Sequence, residues 1–219
     1  MINLSIPQRI YLSCLIAGVI IVLILLLVFL YKNFYKKLRF NNVVGFSLYR
    51  YCNLHDYLLL NDYHILLDEK HVGDINHVLI TNKYIVIIND FPISGVISGD
   101  AFGENLKQTS KKGDRLINNP LNYNRNLTKR VAIFNDLDNS YLKGIVVVLD
   151  DAIINVNNVP PQFKICRKKD LKKVIKEFES DEVKPFKEDT VVNFINILNK
   201  NNIEGPRKWA LANCIANPS

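Results

Sequence analysis

The sequence predicts one α/β layered domain preceded by a single membrane-spanning helix. The run from Ile10 to Tyr31, IYLSCLIAGVIIVLILLLVFLY, carries no charge and shows no polar face over 22 residues. Short β-type runs then follow one another closely through the middle of the chain. Two amphipathic helical segments, with apolar residues at i, i+3, i+4 and i+7, close it.

The elements follow in chain order. As a helix, the apolar run reaches about 33 Å, enough for a hydrocarbon core of about 30 Å. Arg9 is the one charged residue before it, whereas Lys32, Lys36, Lys37 and Arg39 come straight after it. Basic residues stay on the cytoplasmic side, so the expectation is N-terminus out and the remaining chain in the cytoplasm of a single-pass protein of the cell membrane. Tyr31, Phe34 and Tyr35 fall where interfacial aromatics belong. A cleaved leader has a shorter apolar stretch of about 7–15 residues. A lipidated Cys14 has too little apolar chain between it and Arg9. A soluble core helix of this length would show a polar face. The expected boundaries are an extracytoplasmic segment at 1–9, the span at 10–31, a basic connector at 32–44, the domain at 45–200 and a tail at 201–219.

Within the domain, Gly45 to Leu60 reads as a helix that buries Leu48, Cys52, Leu54, Leu58 and Leu59. Asn61-Asp62 reads as a break. Strands are expected at Tyr63–Leu67, His77–Thr81 and Tyr84–Ile88, separated by turn signals at Gly73-Asp74 and Asn82-Lys83. Ile93–Ser98 adds a short strand between Pro92 and Gly99. The polar stretch Asp100 to Asn118, with Lys107, Lys111, Lys112 and Arg115, reads as a loop. Asn119-Pro120 starts a helix, because Asn caps and Pro is tolerated in the first turn; Leu127, Val131 and Phe134 share one of its faces. Gly144–Leu149 (GIVVVL) is a buried strand by its β-branched content, with Ala152–Val156 expected beside it. Phe163–Cys166 follows Pro160-Pro161. The closing helices carry Leu171, Val174, Ile175 and Phe178, then Val191, Phe194, Ile195 and Leu198. This order describes an α/β layered domain.

The net charge of +7 says little about partners. Arg9 and the four juxtamembrane bases supply five of those units, leaving +2 for the domain. The basic balance is therefore chiefly a topology signal, with attraction to anionic headgroups added. Cys14, Cys52, Cys166 and Cys214 are far apart, form no CxxC and are expected to stay reduced in the cytoplasm. The histidines His55, His64, His71 and His77 do not form a zinc-type pattern and read as solvated or hydrogen-bonded side chains. No Gly-rich phosphate loop, Gly-x-Ser-x-Gly elbow or catalytic Cys/His pair is present.

Between His64 and Arg130, the sequence resembles the nuclease-related domain (NERD) family. That family reads Gln-hydrophobic-Asp-His-Val-Val on one strand, Glu-x-Lys and a glycine turn on the next, and Asn-Pro-Leu followed by Gln on a later helix. Here Asp74-Ile75-Asn76-His77-Val78-Leu79-Ile80 falls on the first element. Tyr84 to Phe91 falls on the second, with Ser94-Gly95 and Gly99 as the turn. Asn119-Pro120-Leu121 falls on the third. The resemblance spans roughly 45–200. It implies a restriction-endonuclease-like (PD-(D/E)xK-type) α/β core: a mixed sheet flanked by helices.

It also implies a site whose chemistry is changed. Asp74 stands at the family's Gln, Asn76 at its Asp, Asn89 at its Glu, Phe91 at its Lys and Tyr123 at its later Gln; His77 and Asn119-Pro120 match. Such nucleases hold Mg²⁺ or Mn²⁺ through acidic oxygens and use lysine beside an activated water. Two amides and a phenyl ring supply neither charge nor donor, so no catalytic residue, metal or cofactor is expected. If Asn89 faces the site, strand alternation turns Asp90 away from it. The expected function is a membrane-anchored, catalytically inactive binding or scaffold module at the cytoplasmic face, which either docks a protein partner or keeps the old nucleic-acid cleft as a binding surface. The alternatives are a metal-dependent nuclease with relocated acidic ligands and a structural subunit of a membrane complex. A basic face, Arg167, Lys168, Lys169, Lys172, Lys173 and Lys176, is either a solvated helix surface or a contact for headgroups, RNA or an acidic partner.

Overall fold

The sheet begins earlier than the polar pair Asn61-Asp62 suggests. Leu58, Leu59 and Leu60 pair with Ile80, Leu79 and Val78, and these bonds draw them out of the preceding helix. The computed structural model describes residues 15–29, 39–68, 71–180, 184–185 and 187–203. The chain divides into two units, Met1–Phe40 and Asn41–Ser219. In the first unit, residues 15–29 form a helix, α1, whose side chains are exposed along its length. Among the described residues no helix is long and apolar enough to cross a membrane. Residues 10–14 and 30–31 of the expected span lie outside the described residues.

Helix α2 (Phe40–His55) belongs to the second unit from Asn41 on and buries Val44, Leu48, Tyr51 and Cys52. It ends five residues before the expected Leu60, where Asp56 takes a left-handed φ of 55° that short polar side chains tolerate. Leu54 is exposed rather than buried. Strands β1 (Leu58–Asp68) and β2 (His71–Ile80) form a long antiparallel pair. Gly73 and Asp74 lie inside it, opposite Ile65 and His64, so the expected turn there is corrected. The connection falls at 69–70, outside the described residues. Asn61-Asp62 is a local irregularity within β1: Asp62 has φ 55°, and pairing resumes at Tyr63 in the same register.

The first sheet runs β1-β2-β3-β7-β9. Strand β3 (Ile85–Asp90) is antiparallel to β2 and parallel to β7 (Leu142–Val148), which is parallel to β9 (Phe163–Arg167). Every residue of β7 is buried, which is why it reads as a continuous β-branched run without alternation.

A second sheet, β6-β5-β4-β8, was not expected from the sequence. It contains β4 (Gly95–Asp100), β5 (Asn105–Ser110), β6 (Gly113–Asn118) and β8 (Ala152–Asn157). The expected loop at Asp100–Asn118 is thus a β-hairpin. Its strands are polar because one side is solvated, whereas Leu106 and Gln108 turn inward. The expected pairing of Ala152–Val156 beside β7 is also corrected. β7 already has a neighbour on each edge, and β8 instead lies parallel to β4.

Helix α3 (Pro120–Phe134) buries Leu121, Asn124, Leu127, Thr128, Val131 and Ala132; Phe134 stays 39% exposed. Helices α4 (Leu171–Glu179) and α5 (Glu188–Lys200) complete the domain. α2 and α4 cover one face of the first sheet. Gly45 approaches His77, and Phe178 lies 5.3 Å from Lys143 Nζ. Lys143 pairs with Val86, and Val86 with Leu79, which points to the same side as His77. α3 and α5 cover the other face, where Leu127, Val131, Phe194 and Leu198 pack on Val78, Ile80, Ile85 and Ile87. A separate core joins the second sheet to α3 and β7 through Ile97, Leu106, Leu121, Val146 and Val148. The tail begins by extending the sheet: Leu66 N–H donates to Asn201 O, and Ile203 N–H to His64 O. Cys52 and Cys166 are buried, and burial pushes the Cys166 thiol up to about 12. Cys14 and Cys214 lie outside the described residues.

Candidate functional site

On the face of the first sheet that α3 covers, the two-residue strand repeat brings Asn76 of β2 and Asn89 of β3 together. Asn89 Nδ2 lies 3.5 Å from Asn76 Oδ1 and donates to the Asp74 carbonyl at 2.8 Å. Asn76 Oδ1 also accepts the Asp90 N–H at 2.8 Å. A third amide comes from α3, where Asn124 Nδ2 donates to Asn89 Oδ1 at 2.9 Å and to the Ile87 carbonyl at 3.1 Å. Asn89 and Asn124 are buried. Both oxygens of the strand amides are therefore engaged within the protein. Tyr123 caps the group from the preceding position of α3. Its hydroxyl receives the Asp74 N–H at 3.0 Å and reaches the Asp74 carbonyl at 3.3 Å. Phe91 meets the Tyr123 ring edge-on, with centroids 6.4 Å apart. The Asp74 carboxylate points outward to His64 Nδ1 at 2.7 Å.

Asn124 was not singled out from the sequence. The available signal was a polar residue on an otherwise apolar stripe, three and seven positions before Leu127 and Val131. Asn119 is not part of the amide group. Its Oδ1 caps α3 by accepting from Leu121 N–H and Asn122 N–H. Its Nδ2 donates to the carbonyls of Asp100, Ala101 and Gly103.

The pattern of the nuclease-related domain matches residues 37–149, more than half of the chain. The chain belongs to the nuclease-related domain family. No curated protein and no solved structure matches it.

In this nuclease-related domain, Asn76 and Asn89, which the sequence resemblance sets at the family's Asp and Glu positions, are in contact across neighbouring strands. His77 and Asp90 belong to the opposite face. His77 Nε2 lies 2.9 Å from Asp90 Oδ2, and its Nδ1 lies 2.5 Å from Asn61 Oδ1, all beneath α2. Both side chains are nearly inaccessible, at 2% and 3%. Asp90 Oδ1 is buried without a hydrogen-bond partner. Burial raises the Asp90 carboxyl above its ordinary value, against the lowering effect of His77, and Asp62 raises it further.

The remaining histidines are hydrogen-bonded where described. His55 Nδ1 lies 2.9 Å from the Tyr51 carbonyl, and the His71 side chain lies outside the described residues. Among the described residues, no three His, Cys, Asp or Glu side chains group as metal ligands. The basic cluster is divided between elements. Arg167 ends β9 and pairs with Asp170 at 2.6 Å, and Lys168 lies 3.8 Å from Asp150. Lys168 and Lys169 belong to a 3-10 turn before α4, not to its polar side. Lys172, Lys173 and Lys176 are exposed on α4 itself.

Proposed function

We propose that this nuclease-related domain cleaves no nucleic acid and serves as a binding module tethered to the membrane by the apolar run at 10–31. The observation that carries the first half is the amide lattice of Asn76, Asn89 and Asn124. A hard dication needs anionic oxygens. The side-chain oxygens of Asn76 and Asn89 at the family's ligand positions are neutral, and both already accept hydrogen bonds. Phe91 has no donor for a phosphate or an attacking water. Asp90, the neighbouring acid, is held by His77 on the other face. The donor set therefore does not fit the group that the family's chemistry requires. What the site offers at its surface is Tyr123 and the half-buried Phe91, set over a buried amide group, as the place where a protein partner docks.

The membrane half rests on the sequence: a charge-free run of 22 residues followed by four bases. The topology that follows is N-terminus outside and domain in the cytoplasm.

The test is incubation of the purified full-length chain with plasmid, single-stranded DNA and RNA, in Mg²⁺ and in Mn²⁺. No cleavage above a metal-free control is expected. Metal-dependent cleavage that Asp74→Ala or Asn89→Ala abolishes would overturn the reading. For the tether, membranes washed at alkaline pH should retain the chain in the pellet; its release would remove the anchor.

A further inference from the structure

We infer that the outer surface formed by α2 and α4 is the side on which the domain lies against an anionic lipid surface. This rests on the tethered reading above. Helix α2 presents two faces to different surroundings. One packs Val44, Leu48, Tyr51 and Cys52 into the domain. The opposite face presents Val43, Phe46 and Leu54, which are 46%, 63% and 78% exposed, in an i, i+3, i+11 row. Arg50 lies in the same row, its guanidinium 5.9 Å from the Phe46 ring centroid. No residue of α2 is acidic. Apolar side chains with a cation among them, and no anion, form the face of a helix that beds at a headgroup boundary.

α4 extends this surface. It covers the same face of the sheet as α2, and the two helices meet where Tyr51 OH donates to Glu179 Oε2 at 3.5 Å. Its solvent side presents Lys172, Lys173 and Lys176 against one exposed acid, Glu177. The apolar row and the lysines thus sit on helices that cover the same face of the sheet, one for the acyl boundary and one for phosphate oxygens.

Chain length supplies the occupant. From Tyr31, at the end of the apolar run, to the start of α2 the chain spans at most about 30 Å when fully extended. A tethered α2 therefore stays within reach of the bilayer, where anionic lipid attracts juxtamembrane bases within about a Debye length. Tyr123, 40% exposed over the buried amide group, lies on the other face of the sheet, so this arrangement leaves that side open to a soluble partner.

The experiment places a nitroxide label at Phe46→Cys, at Leu54→Cys, or, as a control on the second sheet, at Leu116→Cys. The parent is the full chain with Cys14→Ser and Cys214→Ser; the two remaining cysteines are buried. Each variant is reconstituted in vesicles of phosphatidylcholine with phosphatidylglycerol and in phosphatidylcholine alone. Collision rates with a water-soluble nickel complex and with oxygen are then measured. In anionic vesicles, labels at 46 and 54 should lose nickel accessibility several-fold and gain oxygen accessibility, while 116 stays open to nickel. Combined Lys172→Glu, Lys173→Glu and Lys176→Glu should undo that shielding in anionic vesicles.

Labels at 46 and 54 as open to nickel as 116, in a chain that resists alkaline extraction, overturn the proposal and leave the tether standing. Spin–spin broadening at 46 shows a second copy on this face and overturns it too. Shielding that survives the charge reversal overturns the part played by the lysines. Release by alkaline extraction overturns the tether on which the proposal rests.

Discussion

Asn89 sits where three parts of the domain meet, and its amide cannot be exchanged for an acid without a penalty. Its Nδ2 faces the Asp74 carbonyl and its Oδ1 takes a hydrogen from Asn124. In Asn89→Asp, a buried carboxylate oxygen would oppose that carbonyl. The expected loss is at least about 2 kcal/mol of stability at neutral pH, shrinking as pH falls and the carboxyl takes up a proton. Urea unfolding at two pH values measures it. Asp90, one residue on, gives the second test. Burial lifts its carboxyl above the ordinary 3.8, so the folded state keeps this proton to higher pH than the unfolded chain does. Stability tied to the group is full below the unfolded-state value and declines as pH rises through the elevated folded one. Asp90→Asn should flatten the wild-type dependence of the urea midpoint on pH above about pH 4. At this scale the sequence was informative for a physical reason. Two strands with a two-residue repeat and a known order leave few places for Asn76 and Asn89. The partner that comes from outside the strands was hidden: Asn124 from α3 reaches Asn89 by tertiary packing, which no local spacing encodes.

Single residues also fix how α3 seats on the sheets. Asn119 does two things at once, capping the helix with its oxygen and tying down three carbonyls of the β4–β5 connection with its nitrogen. Asn119→Ala should cost about 1–2 kcal/mol for the cap alone, and more for the carbonyls released. Asn119→Asp keeps the cap and loses the nitrogen, so a melting temperature between wild type and alanine separates the two roles. At the other contact, a Cβ on Gly144 would collide with Asn124 Oδ1 and the Phe163 ring. Gly144→Ala should therefore destabilise by about 1–3 kcal/mol through overpacking, read from the same melts. The helix start at Asn119-Pro120 and the buried β7 were legible because capping chemistry and β-branched runs are local signals. The β5–β6 hairpin was not. Its alternation is Asn-Leu-Lys-Gln-Thr-Ser, in which Gln108 occupies an inward position. There it is bonded to the Ser94 carbonyl and to Arg115, so a polar residue stands where an apolar one would have announced a strand.

Across the whole molecule, the two sheets differ in how well they are covered. The centre of the first is buried on both faces, whereas β6 is a solvated edge strand with Leu116 73% exposed. Amide hydrogen exchange should therefore be slowest at Ile145, Val146 and Val147 and fastest along β6, by a margin set by local opening. Equal rates would show that the sheets open only together. The existence of two sheets was invisible in the sequence because β8 follows directly on β7 yet pairs elsewhere. Chain order favours neighbours, and here the parallel partner β4 prevails. The β3–β7 pairing carries a consequence for the birth of the protein. Ile85 must wait for Leu142, with the hairpin and α3 strung between them, and β9 arrives later still. On a ribosome, the N-terminal part of the chain emerges long before the centre of its domain can close. For that interval β3 is an apolar strand without its parallel neighbour. The nascent chain therefore has a built-in period of vulnerability, and chaperone contact should concentrate between synthesis of residue 90 and residue 167.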